Sequence, residues 1–151
     1  MTKYNSKDDT NKHRLEVGFL LSDIATELLK RADNHDLSKL QSPEKEMFDI
    51  WHPKLDSLPI DSDAYKEALV QMGSTLQHHY EHNAHHPEHF SGGIAGMNLI
   101  DLIEMVCDWM AAAKRKDPNG EVSLVWAKER FGIDGQLLAI ISNTIGELAT
   151  K

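Results

Sequence analysis

Six of the nine histidines fall within twelve residues, His78, His79, His82, His85, His86 and His89, and a His35-Asp36 pair stands upstream. Imidazole is a good neutral ligand for Zn, Fe, Mn, Ni or Cu, and a carboxylate adds charge and an oxygen donor. The pattern therefore predicts a metal site built from His and Asp, with Cys107 as the one thiol in the chain. The bland alternative is a solvated His-rich turn.

Helices must carry these groups. From about Lys12 to Ala32, apolar residues recur with a 3.6-residue period, and His13 falls on that stripe. A lone inward histidine suits a hydrogen-bonded core as well as a metal. A second helix is expected from Ser42-Pro43-Glu44 to about Trp51, with Ser42 as N-cap, Pro43 at its first position and Pro53 beyond its end. A turn is expected at Pro59 to Asp61. A third helix starts near Ser62 and puts Met72, Leu76 and His79 on its inner stripe, while His78 and His82 fall on a polar face. A fourth, from about Ile94 to Arg115, is the most apolar, yet Asp101, Glu104 and Asp108 share one line along it. Buried carboxylates are costly unless paired or bound to a cation. That line is either the one exposed stripe of the helix or the wall of a metal cavity. A short helix near Val122 to Phe131 and a last one capped by Asp134 complete an all-α, single-domain bundle of about five to six helices. Residues 1–10 read as a flexible N-terminal segment and 11–151 as the metal-binding domain.

Bulk properties narrow the function. The net charge of −8 disfavours polymeric nucleic acid as a partner, which needs a basic surface. No apolar run is long enough to span a bilayer, and Met1-Thr2-Lys3-Tyr4-Asn5 lacks the apolar stretch of a signal peptide. One cysteine suits a reducing compartment, so a cytoplasmic protein with no membrane partner is expected. Homo-oligomerisation is left open.

The order His13, His35-Asp36, the histidine cluster and Asp108 resembles the HD-domain superfamily of metal-dependent phosphohydrolases. His13-Arg14-Leu15-Glu16-Val17 looks like that family's opening His helix. His35-Asp36-Leu37-Ser38-Lys39 looks like its His-Asp-x-Gly-Lys version, with Ser in place of Gly. Val106-Cys107-Asp108-Trp109-Met110 looks like the final Asp helix, and His85-His86-Pro87-Glu88-His89 is similar to the double-His loop of the cyclic-dinucleotide branch. The Tyr-Pro that follows the glycines in that branch is absent.

The resemblance implies that His13, His35, Asp36 and Asp108 hold one divalent ion. Asp36 then bridges to a second ion held by His79 and by His85 or His86. One or two of Mn, Fe, Co, Ni or Zn suit this mixed ligation. Lys39 is implied to contact an anionic substrate, with Arg14 or Lys12 in support. Glu104 or Asp101 is expected behind the ligands, orienting a ligand histidine, and Glu104 together with Lys39 is taken as catalytic. The expected activity is hydrolysis of a nucleotide or similar small phosphoester by a metal-activated water. An HD-type di-iron oxygenase and a non-catalytic metal-binding regulatory protein are the alternatives.

Overall fold

A computed structural model describes residues 4–59 and 62–150. Every regular element among the described residues is helical, as expected: six α-helices and three short 3-10 turns. They are α1 (Lys7–Asn34), α2 (Glu44–Asp56), α3 (Asp63–His82), α4 (Leu99–Lys116), α5 (Leu124–Phe131) and α6 (Gly135–Ala149). The 3-10 turns are Leu37–Leu40, Pro87–His89 and Gly93–Gly96. No helix among the described residues is long and apolar enough to cross a membrane.

By internal contacts the chain divides into two compact units, one ending at Asn34 and the other beginning at His35. The first consists chiefly of α1, a helix of 28 residues with Asp8 and Asp9 in its first turn and Arg31 in its last, each opposing the helix dipole. It starts at Lys7, so residues 7–10 of the expected loose segment are helical. Residues 1–3 lie outside the described residues, and so do Ile60 and Asp61 of the expected turn.

The second unit is organised around α4. Met105 and Val106 of α4, Ala127 of α5, Ile133 between α5 and α6, and Ile141 of α6 are buried together. Full burial of a side chain such as Met105 contributes about 1.5–3 kcal/mol. Trp109, Trp126 and Phe131 pack against this cluster, and the Trp109 and Phe131 rings stack 5.7 Å apart. Polar caps set the helix starts. Asp134 accepts from the Leu137 N–H, as the sequence predicts, and Ser62 accepts from the Tyr65 N–H at the start expected near it. Gly132 ends α5 in the left-handed conformation, which a residue without Cβ adopts at little cost.

Three boundaries in the second unit also differ from expectation. Pro43, not Ser42, is the N-cap of α2, and the Gln41 carbonyl takes the Glu44 and Lys45 N–H groups instead of a serine hydroxyl. α2 also runs through Pro53 to Asp56, with the proline inside its last turns. α4 begins five residues later than expected, at Leu99. Asn98 and Asp101 form a reciprocal capping box there, and Gly93–Gly96 becomes a separate 3-10 turn. Within α3, Gly73 leaves helical geometry at φ 30°, a kink that the periodicity does not announce.

Candidate metal centre

Asp36 sits where the chain turns out of the His-Asp pair into the 3-10 turn Leu37–Leu40. Its backbone is left-handed, with φ 58°. Such a conformation costs a residue with a Cβ about 1–3 kcal/mol and recurs where a site needs a particular geometry. Here it leaves Asp36 Oδ1 3.3 Å from His79 Nε2 and 3.6 Å from His85 Nε2. The other oxygen, Oδ2, accepts from Lys39 Nζ at 2.6 Å and lies 3.6 Å from His35 Nε2. His79 closes the last turn of α3, and His85 and His86 follow in the loop before Pro87. From α4, Asp108 Oδ1 reaches to 3.6 Å from His35 Nε2.

Three groups of candidate ligands result: His35, His85 and Glu104 form one, and the other two share Asp36. Of those two, one is Asp36, His79, His85 and His86; the other is His35, Asp36 and Asp108. Within each, one candidate ligand atom per residue lies within 4.8 Å of all the others. The sequence predicts each of the six residues in these two groups as a ligand. His13 stands on α1, in the unit ending at Asn34.

A second set of carboxylates holds the rings from behind. Glu104 Oε1 lies 2.9 Å from His35 Nδ1 and 3.2 Å from His85 Nδ1. Glu44 Oε2 lies 2.9 Å from His79 Nδ1, and its Oε1 2.7 Å from His78 Nδ1. An ionised carboxylate only accepts, so each Nδ1 that bonds one carries the hydrogen, and Nε2 keeps a lone pair where the ring is neutral. For His35, His79 and His85 that Nε2 faces Asp36. Metal-binding histidines are held in this way in general.

The electrostatics ask for a cation. Four carboxylates, Asp36, Glu44, Glu104 and Asp108, surround the rings, and Lys39 is the lysine that bonds into them. Asp108, 3.6 Å away, raises the His35 imidazole, burial opposes it, and Glu104 and Asp36 add to the rise, pushing it up to about 9. Burial holds His79, His85 and His86 below the usual imidazole range, and in His86 the neighbouring His85 and His79 add to this. Burial raises Asp36, but the Lys39 charge and hydrogen bond outweigh it, and the carboxyl stays below its ordinary value.

The residues present fit a metal ion on two observations. Asp36 Oδ1 and His85 Nε2 are buried and have no hydrogen-bond partner among the described residues. Unsatisfied buried polar atoms are uncommon and mark an ion, a water or a functional group. His79 Nε2 and His86 Nε2 also face one another at 2.9 Å. Two nitrogens each about 2.1 Å from one ion, at right angles, lie roughly 3 Å apart.

A cavity of about 470 Å³ opens beside the cluster, within the usual size range of small-molecule sites. Lys39, His79, His86 and Asp108 form part of its wall. Tyr65, Trp109, Trp126 and Phe131 add an aromatic surface, and Arg115, Lys116 and Arg130 add positive charge. Lys39 Nζ also lies 5.1 Å from the centre of the Phe48 ring. Arg130 is tied to Glu88 at 2.8 Å and lies over the Trp126 ring.

Other residues singled out in the sequence lie elsewhere. Asp101 accepts from the Asn98 N–H and caps α4; it belongs to none of the ligand groups. His78 is tied to Glu44 instead of standing free on a polar face. His82 and His89 are exposed and bond the carbonyls of His78 and Tyr80. Glu44 and Arg130 are additions that the sequence reading misses. Glu44 opens α2, where an acid already has a local reason to be, and its histidine partners lie 34 and 35 residues away.

Fold and site together define a helical protein with a cluster of His and Asp side chains, able to hold a metal, beside a cavity. The chain belongs to a family of unknown function, DUF5662, which it matches over residues 2–147. Neither the curated proteins nor the solved structures yield a significant match.

Proposed function

We propose that this chain is a metal-dependent phosphohydrolase of the HD type, acting on a nucleotide or a similar small phosphoester. The observation that carries the metal reading is the pair of buried, partnerless atoms, Asp36 Oδ1 and His85 Nε2, among four imidazoles and two aspartates. The hydrolase reading draws on the order of motifs and on the cavity beside the cluster. One or two divalent ions bound there would lower the pKa of water and polarise a phosphoryl oxygen.

The chain's own residues supply the rest. Asp36 faces both ligand groups, so it can hold them at a fixed separation. Glu104 bonds His35 and His85 from behind and so acts as a positioning residue, orienting both rings. Lys39, Arg115, Lys116 and Arg130 carry the positive charge in the cavity wall, where a phosphoester would present its anionic group. The aromatic wall of Trp109, Trp126 and Phe131 suits a flat organic moiety.

The test is a metal analysis of purified protein beside phosphate release from a panel of nucleotides and sugar phosphates. Hydrolysis that requires Mn, Co, Ni, Fe or Zn is the expected result. Protein that carries no transition metal and takes up none at micromolar concentration overturns the reading. Bound iron with oxygen consumption and no phosphate release replaces it by a di-iron oxygenase. Bound metal with neither reaction leaves a metal-stabilised binding protein.

A further inference from the structure

Glu44 is a carboxylate with no exposed surface, and it lies outside all three ligand groups. Burying an ionised group so completely is costly unless every lone pair is used. Its partners are His78 Nδ1 on Oε1, and His79 Nδ1 and the Ser38 hydroxyl on Oε2. Burial raises this carboxyl, but the bonds from His78, Ser38 and His79 outweigh it and keep it below its usual value. The ion is thus well satisfied, and it spans three elements: the 3-10 turn after Asp36, the start of α2 and the end of α3.

The hydrogen count around His79 leaves one arrangement. The Asn83 side-chain amide spends its two hydrogens on Ser38 Oγ at 2.8 Å and on the His79 carbonyl at 2.8 Å. The Ser38 hydroxyl spends its single hydrogen on Glu44 at 2.9 Å. Neither group has a hydrogen left for His79 Nδ1, which therefore carries its own and donates it to Glu44. His79 Nε2 is then the bare nitrogen, and it faces Asp36 Oδ1 and His86 Nε2.

We infer that Glu44 is the positioning residue for His79: with Ser38 and Asn83 it fixes the ring's tautomer and direction so that Nε2 is offered to a divalent cation. The inference rests on the metal reading above. It also accounts for Ser38, whose hydroxyl anchors Glu44. A glycine at that position, the residue usual in the family this motif resembles, has no side chain to do so.

The test uses the full chain and Co(II) as probe, read by visible absorption. Ring nitrogen-15 shifts of His79 in the metal-free protein provide a second reading. Wild-type protein is expected to bind Co(II) and to show His79 protonated at Nδ1. Glu44→Gln is expected to bind Co(II) about tenfold or more weakly, the usual loss when such an orienting partner is removed, and to lose the Nδ1-protonated form as the sole tautomer. Ser38→Ala leaves Glu44 and both histidines in place, so it keeps the test open if Glu44→Gln does not fold. It is expected to shift both readings in the same direction by less. His78→Gln breaks the other arm of Glu44 and separates helix bridging from positioning; it is expected to leave the His79 tautomer as in wild type.

A wild-type affinity and an unchanged tautomer in Glu44→Gln, or in Ser38→Ala if the former is unfolded, overturn the inference and leave the metal reading standing. The same loss in His78→Gln as in Glu44→Gln, with the His79 tautomer intact throughout, makes Glu44 a bridge between α2 and α3 and also overturns it. A wild-type chain that binds no Co(II) overturns the metal reading itself and this inference with it.

Discussion

The two sides of the centre share Asp36 but differ in burial. On the histidine-rich side, His79 and His85 are 1% and 2% exposed. On the other side, the His35 and Asp108 side chains are each 28% exposed. A buried ring cannot borrow water to satisfy its Nδ1, so the protein must supply the acceptor, Glu44 for His79 and Glu104 for His85. That side is set by folding. The His35–Asp108 side is open enough for a water or a phosphoester oxygen to approach, and Asp108 lines the cavity. On the proposed reading, one ligand group would hold an ion and the other would work on the substrate.

The comparison fails first if Asp36 is not common to both sides. Asp36→Ala is expected to bring bound metal to near zero per chain while helical circular dichroism stays close to wild type. The ligands are not the main apolar burial, which lies in the cluster around Met105, Val106 and Ile141. Elemental analysis after metal loading checks it. Half of the wild-type metal remaining would mean that one side holds its ion without Asp36.

Much of this cluster is legible in the sequence because its candidate ligands come from local text: the His-Asp pair, the histidine cluster and an aspartate on an apolar helix. What holds the ligands is less legible. Glu104 is visible, since it stands one turn before Asp108 on α4. Glu44 is not, because a first-turn acid already satisfies the helix dipole and its contacts are long-range. Asp101 is misplaced for a related reason. Its line with Glu104 and Asp108 holds within α4, but the start at Leu99 instead of Ile94 puts Asp101 in the first turn, where it serves the capping box. The kink at Gly73 is equally hidden, since one glycine leaves the apolar spacing of α3 unchanged. Caps and contacts between distant residues decide each of these, and neither leaves a periodic trace.

Asp108→Asn sharpens the comparison by weakening one side alone. The neutral amide is a poorer ligand, and since even orienting partners cost about 10–100-fold, a loss of at least about tenfold in affinity is expected. If the sides hold separate ions, calorimetry should show one site weakened and the other retained. A uniform loss of both would mean a single ion shared across Asp36. Unchanged binding would remove α4 from the ligand set.

Glu104→Gln acts behind both sides, because its carboxylate touches His35 and His85. A loss of about tenfold is expected, spread over both sites, with the Gln amide still able to accept one ring hydrogen. A loss confined to the His35 side would show that the His85 contact at 3.2 Å carries little orientation.

The smallest effect is expected from the histidines outside the ligand groups, and it guards the whole comparison. His82 Nδ1 donates to the His78 carbonyl, and its ring stacks on His78 with centres 4.1 Å apart. His89 Nδ1 donates to the Tyr80 carbonyl. Both are exposed, and neither belongs to a ligand group. His82→Gln and His89→Gln should therefore leave metal affinity within about twofold and stability within about 0.5 kcal/mol, as exposed substitutions generally do. Metal titration and denaturant melts on the two variants, beside His79→Gln, measure this. The two-sided description requires His79→Gln to lose far more than either. Equal losses from all three would mean that the six histidines act as a diffuse chelating patch, in which Glu44 and Glu104 orient nothing in particular and burial has no part in choosing the ligands.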